Sequence, residues 1–183
     1  TPARIPVDHT PPVDAQAKRI ADGCVQISML GTTAALCQAG QPHPYWHWTL
    51  LYNEAAWNIQ EHEGRPEKMP WRARFGEEFA GLKIPFGAGI WFVPPPASKH
   101  WVGKLPMGRR AIHGICLGWE MDAGCKFRGK YRVAAVCDFD TTSLRESSAL
   151  RAHRVYATIT TNIAWPTDIG AATLWQFPMS RRY

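Results

Sequence analysis

The chain has 183 residues, 45% hydrophobic and 20% charged, with a formal net charge of +6 and a pI near 9.2. That apolar fraction argues for a packed core and against a disordered polymer, and the length suits one ordinary domain or two small ones. No stretch approaches the ~20 uninterrupted apolar residues of a membrane span, and no signal-peptide pattern opens the chain.

Thr1 rather than Met stands first, and the chain reads as part of something longer. Residues 1–13 hold four prolines without periodicity and are predicted to be an extended linker. A helix is predicted from Asp14 to Ala39, with Ala17, Ile20, Cys24, Ile27 and Ala34 on one apolar face. Asp14 serves as its N-cap, and Gly40 with Pro42 ends it. Gly23 and Gly31 each weaken its interior by roughly 1 kcal/mol relative to Ala, so tertiary packing must hold it.

A second helix is predicted from about Pro44 to Glu61. Trp48, Tyr52, Ala55 and Ile59 line one face, while Trp46, Leu50 and Trp57 cover another. A helix apolar on two sides is buried between neighbours or meets a partner. Residues 65–83 are polar and irregular, with Trp71, Phe75 and Phe79 as anchors. After Leu82 the pattern changes to strand: Ile84 to Val93, Ala111 to Trp119, Tyr131 to Phe139, Val155 to Thr160 and a short run from Thr173 to Phe177. Glu120 to Lys130, with Gly124 and Gly129, reads as a turn and strand extension. Short strands with glycine bends predict a small barrel after the helices, an α+β arrangement.

The five cysteines, Cys24, Cys37, Cys116, Cys125 and Cys137, are an odd number with no C-x-x-C pair. That argues against a disulfide framework and for reduced thiols in an intracellular setting, nuclear or cytoplasmic. Cys24, Cys37, His43 and His47 suggest a metal site, but no close C-x₂₋₄-C pair supports one. Buried small thiols and helix-capping histidines are the stronger reading. No G-x-S-x-G elbow, no phosphate-binding G-x-x-x-x-G-K-[ST] loop and no Ser or Cys in an activating local context is present.

Charge is uneven. Residues 1–78 carry seven Lys/Arg against nine Asp/Glu, −2, whereas residues 79–183 carry fourteen against six, +8. Lys99, His100, Lys104, Arg109, Arg110, Lys126, Arg128, Lys130 and Arg132 form the densest run, interleaved with Trp101, Trp119, Phe127 and Tyr131. Cations that neutralise phosphates beside aromatic faces that stack are the ingredients of a nucleic-acid surface. A merely solvated basic face has the same sequence signature.

Several blocks in order resemble the integrase region of copia-type LTR-retrotransposon polyproteins. Lys18 to Gly23 (KRIADG) is similar to the family's N-G-x-A-E-R segment, and Gly31 to Trp46 to its R-x-L-L-x-x-A-x-L-P-x-x-x-W continuation. Pro70-Trp71, Phe75-Gly76 and Ile84 to Gly87 resemble its T-P-W…G…P-F-G connector. Ile112 to Trp119 resembles its G-I-F-L-G-Y strand, Gly124 to Val133 the following hairpin, and Phe177 to Tyr183 an F-P-L-K-x-R-Y block.

The resemblance implies the C-terminal helices of a ribonuclease-H-like integrase core over 14–64, a connector over 65–83, an SH3-like β-barrel over 84–160 and a C-terminal extension over 161–183. In that family two Asp and one Glu hold two Mg²⁺ ions for DNA cutting and joining, because clustered carboxylates can hold paired metals across the reacting phosphate. The Glu aligns with Asp22, one methylene shorter, and Gly23 replaces the usual Arg. The two Asp partners belong to a part of the core outside this sequence, and Asp8 and Asp14 lie too near Asp22 to replace them. Asp22 is therefore a degenerate catalytic or metal-binding candidate that needs the upstream core, and no cofactor is expected in this chain alone. The implied partners are DNA, through Lys99, Lys104, Arg109, Arg110, Lys126, Arg128, Lys130 and Arg132, and other integrase protomers or the remaining polyprotein, with no membrane. The competing expectation is a protein-interaction or oligomerisation module whose basic surface is only solvated.

Overall fold

The computed structural model describes residues 15–41, 43–64, 68–101, 110–140, 155–165 and 175–180. The linker over 1–13, Asp8, Asp14, Lys104 and Arg109 lie outside them. The first helix, α1 (Ala15–Ala39), ends in a Schellman arrangement: Gln41 N–H donates to Leu36 O at 3.0 Å and Gly40 N–H to Cys37 O at 3.1 Å. Gly40 sits at φ +64°, the left-handed conformation this stop needs. A single 3₁₀ turn (His43–Tyr45) then leads into α2 (Trp46–Ile59), which runs back antiparallel along α1.

The face of α1 differs from the one its periodicity suggests. Ile20, Cys24, Ile27 and Ala34 are exposed, and the helix packs instead through Ser28, Gly31, Thr32, Ala35, Leu36 and Ala39. These recur at i, i+3 and i+4, so they form one stripe, and they are mostly small. Small residues win because they let α2 approach: a Cβ on Gly31 would run into the Asn53 amide. The midpoint of the contact is polar, with Ser28 Oγ donating to Glu54 Oε1 at 2.5 Å and Asn53 Nδ2 to Ser28 O at 3.5 Å. Among the described residues, Lys18–Ala39 is the one helical segment long and apolar enough to cross a membrane. Its Gly, Ser, Thr and Gln residues interrupt the run without making it strongly polar.

The polar connector contains an unforeseen short helix, α3 (Pro70–Phe75), with Pro at its start and Gly76 at its end. Trp71 and Phe79 are buried, as expected of anchors. Leu82 is clamped by its backbone: the Trp119 indole donates to its carbonyl at 2.9 Å, and its N–H donates to the Tyr131 hydroxyl at 2.9 Å.

The strands are β1 (Gly89–Phe92), β2 (Ile112–Asp122), β3 (Lys126–Ala135), β4 (Thr158–Thr160) and β5 (Ile163–Ala164). All pairings are antiparallel, in the order β4-β3-β2-β1-β5. The third expected strand stops early, and Val136–Asp140 is a short helix, α4. Its run of apolar residues fits a buried strand and a helical turn equally well, which is why periodicity misassigned it. Trp175–Phe177 forms no strand, although Gly89 N–H donates to Gln176 O at 2.7 Å.

Only Thr161 and Asn162 separate β4 from β5, yet these strands occupy opposite ends of the sheet. The sheet therefore curls until one bent segment, 158–164, lies along both β3 and β1. Val93 N–H donates to Asn162 O and Thr160 Oγ1 to Val93 O, both at 3.1 Å, and these bonds fasten the bend. The hydrogen-bonded order remains open, so the molecule is α+β with a curled antiparallel sheet and not a closed barrel. Helices and sheet share one interior. Ala56, Ile59, Met69 and Trp71 pack with Ile90, Phe92, Trp119 and Val133, while Leu36, Tyr45 and Met179 pack with Phe86, Leu117 and Phe139. Tyr52 of α2 touches both groups and stacks on Trp119 with ring centres 5.1 Å apart. Beneath it lies Gly118 at φ +120°, where a Cβ would come within 3.2 Å of the Tyr52 ring.

Candidate nucleic-acid interface

Strand alternation places Lys126, Arg128, Lys130 and Arg132 on the outer side of β3, while Phe127, Tyr131 and Val133 turn into the core. Burial raises the Tyr131 pKa, against the lowering effect of its hydrogen bond from Leu82. The outer row is partly neutralised in place. Arg128 Nε lies 2.8 Å from Asp122 Oδ2, and Arg132 reaches Glu120 Oε2 with Nε at 3.1 Å and with its terminal nitrogen. The Arg128 pair is open to solvent, and such pairs are worth ~0–1 kcal/mol, little enough to exchange for a phosphate. Lys126 and Lys130 form no ion pair among the described residues.

Beside this row runs a shallow groove of about 380 Å³, walled by Pro94, Pro95 and Pro96 on one side and Ile159, Thr160 and Asn162 on the other. Lys130 and the 36% exposed ring of Trp101 both line it. The triple proline that ends β1 and the bend at 161–162 shape the groove. An aromatic face and a lysine thus share one concave surface beside hydrogen-bonding Thr and Asn groups.

The remaining candidates divide. Arg110 is exposed just before β2 and pairs with no acid among the described residues. Lys99 belongs to a different corner, where its Nζ lies 2.8 Å from Asp138 Oδ1. Asp22 is exposed on α1 and joins no three-donor cluster. The carboxylate set that paired Mg²⁺ ions require is thus absent among the described residues, and Asp22 does not fit that chemistry here. Cys24, Cys37, His43 and His47 likewise form no three-donor cluster, and both thiols are exposed where buried ones were expected. α1 offers its C-terminal half, mostly through small residues, to α2.

His100, Cys137 and Asp138 escaped the sequence reading as a group. Their donor atoms lie within 4.8 Å of one another. Thirty-seven residues separate His100 from Cys137, so no local motif announces them; only the return of the chain after β3 brings them together. No protein-family model, curated protein or solved structure matches this chain.

Proposed function

We propose that this chain is a non-catalytic, DNA-contacting segment of a copia-type retrotransposon integrase, with the end of a ribonuclease-H-like core leading into an SH3-like module. The observation that carries the nucleic-acid reading is the outer row of β3 cations beside the groove that holds Lys130 and Trp101. Phosphate neutralisation by the row and stacking on the indole act on the same strand of nucleic acid. The family reading is supported by how the resembling blocks fall on successive elements: Lys18–Gly23 on α1, Pro70-Trp71 at the start of α3, Ile112–Trp119 on β2 and Gly124–Val133 across the β2–β3 turn. The curl of the sheet around the 158–164 bend supports the barrel-like module.

The test is fluorescence anisotropy of the full chain with duplex DNA carrying a single-stranded tail over a range of salt. The reading expects log affinity to fall with log salt by roughly 0.9 per phosphate neutralised. Replacing Arg110, Lys126 and Lys130 by Gln flattens that slope by roughly one per cation, and Trp101→Ala weakens binding without changing the slope. Absence of binding at low salt sinks the proposal.

A second reading is favoured by α1. Ile20, Val25, Met29 and Leu30 are 58–72% exposed on one helix, and Trp46, Leu51 and Trp57 add to the apolar surface on α2. A second copy of the chain would cover this apolar surface, as an oligomerisation module requires. A bilayer fits less well, because the ties from Ser28 to Glu54 and Asn53 would carry a carboxylate into hydrocarbon. Sedimentation across a concentration series, with Leu30→Glu as control, separates association through α1 from a monomer.

A further inference from the structure

The short helix α4 meets the turn that follows the proline triplet after β1. That turn is fixed by its own backbone: Ser98 N–H donates to Pro95 O at 2.8 Å and Trp101 N–H to Ser98 O at 3.0 Å. His100 N–H adds a bond to Ser98 Oγ at 3.2 Å, which sets the origin of its side chain. From α4 come Cys137 and Asp138, neighbours in sequence. One donor atom each of His100, Cys137 and Asp138 all lie within 4.8 Å of one another. Cys137 Sγ stands 4.0 Å from the imidazole at Nδ1, and Asp138 Oδ1 stands 2.9 Å from it at Nε2.

A nitrogen, a sulfur and an oxygen that converge call for a cation able to take all three. Tetrahedral Zn²⁺ holds a thiolate at about 2.3 Å and imidazole or carboxylate at about 2.0–2.2 Å, so its donors stand roughly 3.4–3.6 Å apart. Gathering atoms already within 4.8 Å onto such an ion takes side-chain rotation only, and Cys137, exposed on α4, has room for it. Mg²⁺ and Ca²⁺ prefer shells of oxygen, so the thiolate selects against them. Burial supplies a second argument. The Asp138 side chain is only 6% accessible, and a buried carboxylate is costly without a positive partner. Lys99 Nζ occupies that place, 2.8 Å from Oδ1, on a side chain that is 53% accessible and rests over the Tyr156 ring at 5.7 Å. So exposed an ammonium can withdraw into water when a metal ion arrives, while the carboxylate stays in place.

We propose that His100, Cys137 and Asp138 form a zinc site with three protein ligands and an open fourth position. His100 and Asp138 line a hollow of about 340 Å³ together with Ser98, Lys99 and Thr158, while Cys137 stands outside it. The fourth position faces this hollow, which has room for a water as the remaining donor. Binding requires the thiolate and an unprotonated ring nitrogen, so uptake of the ion releases protons. One ion thereby ties the turn at 98–101 to α4, with 37 residues of chain between His100 and Cys137. The inference is independent of DNA binding, since none of the three ligands belongs to the β3 row or lines the Trp101 groove.

Co²⁺ is the probe, because it accepts the same donors as Zn²⁺ and a thiolate bound to it absorbs in the near ultraviolet. The other exposed thiols, Cys24, Cys37 and Cys125, are first replaced by Ser in the full chain, which leaves Cys137 and the buried Cys116. Titration with Co²⁺ is expected to raise the thiolate band to saturation at one ion per chain, and added Zn²⁺ to abolish it. Cys137→Ser removes the band. His100→Ala and Asp138→Asn each weaken binding roughly 10–100-fold, the range found even for groups that only orient a ligand. Lys99→Gln, which removes a competing ammonium, binds severalfold tighter. Tryptophan fluorescence checks that each variant is folded, and if Asp138→Asn is not, His100→Ala decides. Should both fail to fold, alkylation of the unsubstituted chain by iodoacetamide decides: Zn²⁺ protects Cys137 ahead of Cys24, Cys37 and Cys125, and equal protection of all four overturns the proposal. It is also overturned if the band persists in Cys137→Ser, or if a severalfold excess of Co²⁺ raises none. Binding by folded His100→Ala as tight as the parent's overturns it as well, since a lone thiol would then hold the ion.

Discussion

α1 and α2 lie side by side and both carry abundant apolar side chains, yet they meet opposite fates. Ile59 of α2 is 1% exposed, with the sheet on one side and Met69 and Trp71 on another. Leu30 of α1 is 72% exposed. The two differ in what the rest of the chain brings to them. Gly118 lets α2 settle on β2 through Tyr52, and Gly31 lets α1 settle on α2, but no described element returns to the far side of α1. Apolar periodicity therefore states which faces could be buried, and the topology decides which are. In this molecule α2 is enclosed between the sheet and its neighbours, while the apolar side chains of α1 from Ile20 to Leu30 stay exposed.

Large-to-small substitution gives the sharpest contrast. Ile59→Ala empties a site enclosed by both the sheet and the connector, and a loss of about 2–5 kcal/mol is expected. Chemical denaturation monitored by tryptophan fluorescence reads it directly. Leu30→Ala on the exposed face of α1 should remain within about 0.5 kcal/mol of the parent. Equal losses at the two positions would mean that α1 is covered in solution, and the contrast between the helices would then disappear.

Alkaline pH probes the same contact electrostatically. Burial pushes the Cys116 thiol up to about 12. It does the same to Tyr52, where the neighbouring thiol adds to the rise and a hydrogen bond with the Phe86 backbone opposes it. Both groups are neutral when protonated, so below their ordinary values folded and unfolded chains hold the same protons and stability is unaffected. As pH rises through about 9–10 the unfolded chain ionises first, and stability falls with pH toward the raised native values. The expected loss from about pH 8 to 10 is roughly 1–2 kcal/mol. Cys116→Ala should remove more than half of that slope, whereas Cys24→Ala on α1 should leave it unchanged. A slope unaffected by Cys116→Ala would place the alkaline sensitivity elsewhere.

Much of this architecture is legible in the residues. Gly40 marks the end of α1, the proline triplet marks the end of β1, and Trp71 and Phe79 do anchor the connector. The outer row Lys126, Arg128, Lys130 and Arg132 follows from alternation alone. Other features depend on partners distant in sequence. Arg128 and Arg132 lose part of their charge to Asp122 and Glu120, which the hairpin places opposite them. Val136 to Phe139 reads as strand until the chain turns away from the sheet. His100 and Cys137 show nothing individually, because their relation is created by the path between them. The exposed apolar residues of α1 are not legible either, since periodicity assigns apolar side chains to the packing face while small residues do the packing.

The finest discrimination between covered and bare surface comes from one substitution made twice on the same helix. Gly23 and Gly31 carry the same intrinsic penalty in an α-helix, about 1 kcal/mol relative to Ala. A Cβ at Gly23 meets nothing within 4 Å, so Gly23→Ala should recover most of that penalty and stabilise the protein by about 0.5–1 kcal/mol. At Gly31 the added methyl meets the Asn53 side chain, with Cγ and Nδ2 both 2.8 Å away, and displaces the amide that donates to Ser28 O. Overpacking of roughly 1–3 kcal/mol there outweighs the propensity gain, for a net loss of about 1 kcal/mol. Opposite signs for the two changes in urea denaturation are the expected result. If Gly31→Ala is also stabilising, α1 and α2 are further apart than the Ser28–Glu54 bond implies; truncating Asn53 to Ala then decides whether the amide or the helix axis had to move.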